Sequence, residues 1–504
     1  MERATLKIVE FIKKKKKIGI FGDYDVDGST ATALICNYFD DIGIDYEYHI
    51  PDRIAEGYGP NINALKQLQN KNCELILTLD CGTSAKKTIN LMQKSGVEII
   101  IVDHHLEADS LPNAFAIINP KKKSDSSKLT NLCAAGVVFF LLIAINRKLK
   151  EIRYFLNDSP NLLRYLDLVA LGTICDLVKL DDLNRAFVKQ GIKIINNTRN
   201  LGLTCLIKDS SINQVITEYH LGYVLGPRIN AGGRVGNSIL GADLLITKKK
   251  SISSVISKKL CDYNNLRKTI ERRVEFDAMQ QAGLKDENII CVHSKNWHPG
   301  VIGIVASKLT EKFSRPSIVI SEDSEICKAS CRSVKSIDIG NFIIMAIKNG
   351  KILSGGGHKM AGGFEIERSK IEDFKIFLRN KHIRQQNDLL KNFDSELNIS
   401  SLNHSLYYEI NKFSPFGVGN PKPKFLIRDC LIKFVRLVGK KHFSFFLEDS
   451  YGNRIKGIAF NSLGTKLGNL IETCDSNVSV IVSLTINRWA GNETMELLVE
   501  DMIV

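Results

Sequence analysis

The sequence predicts an α/β protein: a parallel-sheet domain, a linking helix, a second α/β domain and a C-terminal OB-like β-barrel. Three observations carry this. Apolar strand-like runs alternate with helical patterns from residue 17 onward. The stretch 262–282 has unbroken helical periodicity. The last hundred or so residues turn into short strand-like runs split by turn signals. With 504 residues the chain is too long for one core and suits about three domains. The expected spans are 1–250, the helix 251–283, 284–392 and 393–504.

Composition sets the class. Hydrophobic residues at 44% and charged residues at 25% are those of a folded soluble chain. The longest apolar run, "AAGVVFFLLIAI" at 134–145, is too short to span a bilayer and predicts a buried core helix. The start, "MERATLKIVEFIKKKKK", lacks the apolar stretch and cleavage site of a secretory signal, so a cytoplasmic protein with no membrane segment is expected. Lys13–Lys17 reads as a solvated helix end. The 12 cysteines are scattered; Cys327 and Cys331 are closest, no second pair completes a zinc site, and reduced thiols are expected. The net charge of +14 favours an anionic partner, nucleic acid first, although much of it is lysine in a chain rich in Ile and Asn.

The first strand, "KIGIF", runs into "GDYDVDGST" at 22–30. Asp23, Asp25, Asp27 and Gly28 fill the first positions of a calcium-binding EF-hand loop. Leu34 stands where its bidentate glutamate belongs, and a strand enters where a helix should. After the turn, Ala31, Leu34, Ile35, Tyr38, Phe39 and Ile42 recur at helical spacing, predicting a helix from near Ser29. "ELILTLDCG" (74–82) is a second strand, ending in Asp80. "VEIIIVDHH" (97–105) is a third, ending in Asp103, His104 and His105. In a parallel sheet these ends share the edge where α/β folds bind ligands. Carboxylates with imidazole and no thiolate suit Mn²⁺ or Mg²⁺. So many aspartates together call for two cations, a recurring device for phosphoester hydrolysis.

In the second half, Tyr263, Leu266, Ile270, Val274 and Met279 fall roughly on one side of the long helix, which reads as a link between two lobes. "SGGGHKMAGG" is not a P-loop, because Met360 follows Lys359. Its glycines suit either a tight turn or a backbone cradle for phosphate. The tail supplies "FLIRDCLIKFVRLVG", "HFSFFLED", "RIKGIAF", "VSVIVSLTI" and "TMELLVEDMIV", five strands of a size for an OB-like barrel. Among Phe443, Phe445 and Phe446, near Lys440 and Lys441, at least one ring is core and another could stack on a base.

"DYDVDG", "LTLDCGTSA", "VDHH" and "YLDLVALGTICDLVKL" resemble the DHH phosphoesterase superfamily, and "GGGHKMAGGF" (355–364) resembles its DHH-associated domain. "PDRIAEGYG" (51–59), "LGPRINAGGRVG" (225–236), "WHPGVIGIVASKL" (297–309), "KASCRSVKSIDI" (328–339) and "FGVGNPKPKF" (416–425) narrow the resemblance to the RecJ family of single-stranded-DNA exonucleases, from about residue 18 to the end. That resemblance implies a DHH catalytic domain, a DHH-associated domain and a nucleic-acid-binding OB domain. It implies 5′→3′ release of mononucleotides from single-stranded DNA in repair and recombination. It gives Asp25, Asp27, Asp80, His104 and Asp176 as metal ligands, Asp80 as the bridge, and Asp23 as ligand or supporting group. It implies that Asp103 orients His104 and that His105 touches the scissile phosphate or leaving oxygen. For substrate it points to Arg332, Ser333, Gly355, Gly356, Gly357, His358, Arg234, Arg228 and Asn230, with a surface ion pair nearly as good a reading for Arg228. Partners implied are single-stranded DNA, a single-strand-binding protein and a helicase, with the chain a monomer. Two departures stand out: the segment before the first strand is shorter than in relatives, and Phe21 stands where several carry a histidine. The alternatives are a phosphodiesterase for short oligonucleotides or cyclic dinucleotides, and a DNA-binding relative that lost catalysis.

Overall fold

The computed structural model describes residues 1–107, 110–197, 200–283, 288–379, 392–489 and 492–504. It comprises two compact units, one carrying two α/β sheets and the other, which includes Lys179–Asp181, a β-barrel. Among the described residues no helix is long and apolar enough to cross a membrane. All 12 cysteines are free thiols.

The first sheet is built from α1 (Glu2–Lys13), β1 (Ile18–Phe21), α2 (Val26–Ile42), β2 (Tyr46–His49), α3 (Ile62–Asn70), β3 (Leu75–Leu79), α4 (Lys86–Lys94), β4 (Glu98–Val102) and β5 (Ala116–Ile118). Its strands are all parallel, in the order β2-β1-β3-β4-β5. β1 and β3 are buried throughout, as a parallel sheet covered on both faces requires. The order reverses between β1 and β3, opening the crevice where such sheets take ligands. The three expected strands are present. β2 and β5 were not expected, because "YEYH" is half-buried with no apolar alternation and β5 is only 3 residues long.

α2 begins at Val26, earlier than the expected Ser29. Asp25 is its N-cap, its Oδ1 accepting the Gly28 N–H at 2.9 Å. The apolar run forms the buried α5 (Ala134–Glu151), followed by α6 (Leu166–Cys175), α7 (Asp182–Asn196), α8 (Leu201–Asp209), α9 (Gly226–Val235) and α10 (Leu240–Ile246).

α11 (Lys250–Gly283) is one continuous helix. Of the expected stripe, Val274 is buried and Ile270 and Met279 pack against the same core, whereas Leu266 is exposed; Ile256, Leu260, Asn264, Glu271, Ala278 and Ala282 are the other buried residues of the face. Such a long helix changes partners along its length. Its C-terminal part joins the core beneath the second sheet, while its middle is held by Glu271, which meets Arg267 at 2.5 Å and Lys308 at 2.6 Å.

The second sheet comprises β6 (Ile290–Ser294), α12 (Ile302–Phe313), β7 (Ser317–Ser321), β8 (Ile326–Arg332), α13 (Ile339–Lys348), β9 (Ser354–His358), β10 (Ala361–Glu367) and α14 (Ile371–Arg379), with strand order β6-β7-β8-β10-β9. Residue 284, the expected start of this domain, lies outside the described residues. The glycine run is the exposed edge strand β9, and the hairpin turn follows it at Lys359 and Met360.

The barrel unit contains β11 (Ser395–Glu396), α15 (His404–Asn411), β12 (Phe425–Val438), β13 (His442–Glu448), β14 (Arg454–Ala459), α16 (Lys466–Thr473), β15 (Val478–Trp489) and β16 (Asn492–Ile503). The sheet runs β12-β13-β14-β16-β15, and a β15–β12 pairing closes it, as in an OB fold. Phe443 and Phe445 are core residues, whereas Phe446 lies outside, edge-on to Phe434 at 6.2 Å.

Candidate active site

Acids from three strand ends meet at one point. Asp23 and Asp25 lie in the turn after β1, and Asp27 is in the first turn of α2. Asp80 follows β3 with φ of 62°, a left-handed conformation uncommon outside glycine and more accessible to aspartate than to most side chains. Asp176 caps the C-terminus of α6. Three groups have ligand atoms within 4.8 Å of one another: Asp23, Asp25 and Asp80; Asp27, His104 and Asp176; Asp80, His104 and His105. Every residue expected to hold metal is thus in one cluster.

What anchors Asp27 was not legible beforehand. Its carboxylate accepts the N–H groups of Ala134 at 2.6 Å and Ala135 at 2.9 Å, the first two residues of α5. The apolar core helix therefore turns its unpaired N-terminal donors on this acid.

The cluster is electrostatically costly without cations. Burial, then Asp25, raises Asp27 to about 6. Burial, then Asp27 and Asp25, raises Asp176 to about 9. Asp80 and Asp23 are pushed far above the usual carboxyl range, by burial first and neighbouring aspartates second. Asp23 Oδ1 and Asp80 Oδ1 are buried with no hydrogen-bond partner among the described residues. Bare, buried carboxylate oxygens within one cluster are what a cation would satisfy. Oxygen donors with one or two imidazoles fit Mn²⁺ or Mg²⁺.

His104 Nε2 lies 3.3 Å from Asp80 Oδ1, 3.6 Å from Asp176 Oδ2 and 3.7 Å from Asp27 Oδ2. Burial, then His105, lowers its pKa to about 3, leaving the neutral imidazole that ligation needs. Asp103 was expected to orient His104 and instead grips His105. Its Oδ1 sits 2.7 Å from His105 Nδ1 and accepts the backbone N–H of His104 at 2.7 Å, while Oδ2 accepts the Thr83 N–H at 2.9 Å. From the preceding position Asp103 reaches the His104 backbone, and the His104 ring points away to the acids. Burial lowers the His105 pKa, but the Asp103 bond and charge outweigh it and the net shift is upward. Tyr58, not foreseen, donates its hydroxyl to Asp80 O at 3.1 Å and lies 3.3 Å from His105 Nδ1. Its signal was its place in "PDRIAEGYG".

A positive bank adjoins the acids. Arg234 donates to Gly300 O at 3.1 Å, and Arg332 donates to Cys331 O at 2.8 Å. Burial, then Arg53, Arg267 and Arg332, brings Arg234 down to about 10. Arg53 lies 5.3 Å from the ring centre of Tyr24, inside the acidic turn. A Cβ on Gly233 would come within 3.3 Å of Tyr24, so α9 is pressed onto that turn as well. Ser333 is buried, with its hydroxyl donating to Ile337 O at 2.8 Å. The hydroxyl beside Arg332 is that of Ser330, at 3.4 Å. Ala361 pairs with both Arg332 and His358, which puts those two on one sheet face, two strands or about 10 Å apart. Gly355, Gly356 and Gly357 continue along the same edge strand. Arg228 donates to Val224 O at 2.7 Å, and Asn230 is half-buried in α9.

The model of the DHH family, N-terminal domain, matches residues 17–173, that of the DHHA1 domain 286–381, and that of the RecJ OB domain 393–501. A single-stranded-DNA-specific exonuclease RecJ of Haemophilus influenzae is 32% identical, over 99% of this chain and 90% of its own. Its Bacillus subtilis counterpart is 31% identical, over 100% of this chain and 63% of its own. The crystal structure of Thermus thermophilus RecJ with Mn²⁺ superposes with a TM-score of 0.84 at 27% identity, over 100% of this chain and 71% of that one. The Mg²⁺ complex gives 0.74 at 25% identity, over 99% and 69%. The chain belongs to the RecJ family of DHH proteins.

Proposed function

We propose that the chain is a Mn²⁺- or Mg²⁺-dependent 5′→3′ exonuclease that hydrolyses the phosphodiester bonds of single-stranded DNA to mononucleotides, in repair and recombination. One observation carries the reading: a buried cluster of acids and imidazole lies directly beside a bank of arginines. That is the layout for cutting one phosphodiester while holding a neighbouring phosphate. Asp25, Asp27, Asp80, His104 and Asp176 would hold two divalent cations, with Asp23 supporting and Asp80 shared. Bound there, the cations supply an activated water and neutralise charge at the phosphorus.

The chain's own groups do the rest. Asp103 fixes the His105 ring through Nδ1 and leaves Nε2 to donate to the scissile phosphate or its leaving oxygen. Arg234, Arg332 and the Ser330 hydroxyl, with His358 and the open edge of β9, receive the terminal phosphate through charge-assisted hydrogen bonds. The barrel binds the strand in the manner of OB folds. The same reading has the chain act in the cytoplasm as a monomer, with a single-strand-binding protein and a helicase presenting its substrate.

Labelled single strands blocked at either end, with Mn²⁺ or Mg²⁺ and duplex controls, test it. The expected result is mononucleotide release only from strands with a free 5′ end. Degradation from blocked 5′ ends, or equal attack on blunt duplex, overturns it.

A further inference from the structure

We infer that Tyr219 and Tyr223 form a base-stacking step on the catalytic unit, over which single-stranded DNA passes as it reaches the cluster. The inference rests on the nuclease reading above and adds a contact that reading does not contain.

The two phenol rings stack on each other, centroids 5.2 Å apart and planes inclined by 25°. They are i,i+4 neighbours on a helical segment, and both rings remain open to solvent, Tyr219 at 59% and Tyr223 at 74% exposed. Tyr223 lies within a π-type turn, His220–Leu225, and Tyr219 is the residue that caps it; such turns are rare and frequent at functional sites. That turn is fixed at the end of the helix that bears Asp176. Cys175 Sγ meets Leu221 O at 3.5 Å, and a Cβ on Gly222 would come within 3.2 Å of Ile174. The platform is therefore rooted one residue from a candidate metal ligand.

Cations complete the surface. Arg228 is folded back so that Nη1 donates to Val224 O at 2.7 Å, next to Tyr223 in the chain, and its buried Nε has no partner among the described residues. Across on α11, Lys268 lies within electrostatic reach of Arg228, Arg267 and Arg272. Glu218 is the acidic neighbour on the Tyr219 side. Exposed π-faces beside crowded cations recognise unpaired nucleobases and their phosphates. This also gives Arg228 a place in binding.

The test measures binding of fluorescent oligo-dT to the full chain in EDTA, where nothing is cleaved. Strand length runs from about 4 to about 20 nucleotides, and the paired variants are Tyr→Ala, Tyr→Leu and Tyr→Phe at positions 219 and 223. Wild type should gain affinity with length. The Phe pair should keep that gain, and the Ala and Leu pairs should lose about ten-fold on the longer strands. On a strand of abasic residues the Ala pair should bind as wild type does, because the barrel's share of base stacking is lost equally from both. The inference is overturned if the Leu pair binds like the Phe pair, if the Ala pair binds normal DNA like wild type, or if the Ala pair costs as much on abasic as on normal strands. Melting curves of each variant accompany the binding, and the Leu-against-Phe comparison decides if the Ala pair misfolds. Absence of Mn²⁺-dependent hydrolysis in wild type would sink the nuclease reading alone, since the binding series does not depend on turnover.

Discussion

Substituting Gly172 by Ala separates two physical effects of opposite sign. Gly172 lies inside α6, where alanine is the better helix former by roughly 0.5–1 kcal/mol. On propensity alone G172A should stabilise the protein. Its Cβ, however, would lie 2.7 Å from Thr30 Oγ1, 2.8 Å from Asp27 Oδ1 and 2.9 Å from Ala135 Cβ. None of these can yield independently. Asp27 is held by two backbone N–H groups of α5, Thr30 Oγ1 donates to Asp27 O at 3.0 Å, and Ala135 is part of the α5 backbone. Relief requires α6 to move off α2 and α5 by about half an ångström, at an overpacking cost of roughly 1–3 kcal/mol. The net expectation is a loss of about 1–2 kcal/mol, or about one to two degrees in melting temperature for a chain of this size. Asp176, at the end of α6, would move with it. The Mn²⁺ concentration for half-maximal turnover should therefore rise about ten-fold, with no ligand replaced. Thermal unfolding in EDTA and a Mn²⁺ titration of nuclease activity read both effects. A G172A protein that melts higher than wild type and keeps its Mn²⁺ dependence would refute the argument.

Asp80→Asn should abolish Mn²⁺-dependent nucleotide release yet raise the melting temperature in EDTA, because it removes a carboxyl that burial, and then Asp27, Asp25 and Asp23, force to take up a proton on folding; near-normal turnover would show the ligand assignment to be wrong. In the metal-free protein Asp27 titrates at about 6 and Asp176 at about 9, both above the value of an unfolded aspartate near 4. Their protonated forms favour the fold, so that stability is full below about pH 4 and is lost as pH rises through those values. Melting temperature in EDTA should fall from about pH 4 to 9, most steeply between about 4 and 6 where both groups contribute, and a curve that rises there would contradict the sign. Ser333→Ala should cost about 1 kcal/mol by leaving Ile337 O without its donor, whereas Ser330→Ala should leave stability unchanged and raise KM for 5′-phosphorylated strands. The reverse pattern in melting and kinetics would exchange their roles.

How far the sequence reached depended on how local each signal was. β1, β3 and β4 are apolar runs ending in acids, so both strand and ligand could be read from consecutive residues. β2 lies half-buried and mixes tyrosines with charge, so no period marks it. The α11 stripe held over Ile270, Val274 and Met279, which share one core, and broke down at Leu266, where burial follows a different partner. The hold of α5 on Asp27 joins residues 107 positions apart and has no local trace. Ser330 did leave one. On β8, Cys327, Ala329 and Cys331 point inward, and period-two alternation puts Lys328, Ser330 and Arg332 on the opposite face. Applied to "KASCRS", the same rule pairs Arg332 with Ser330 and leaves Ser333 beyond the strand.

The acidic turn also explains why the site's ligands are so tightly bound into secondary structure. Asp25 caps α2 with Oδ1, and Asp27 receives the first two N–H groups of α5. Helix N-termini carry partial positive charge that favours carboxylates. A cap alone is worth about 1 kcal/mol. Burial and mutual repulsion move Asp176 from the ordinary value to about 9, a penalty that a few caps cannot offset. The fold therefore fixes where these oxygens sit without making their charge comfortable. Because each carboxylate oxygen has two lone pairs, an oxygen engaged by a backbone N–H can still face a cation. Structural and ligating roles thus fall on the same atoms. A cation entering finds ligands already aimed, and the repulsion stored among them becomes binding free energy for the metal.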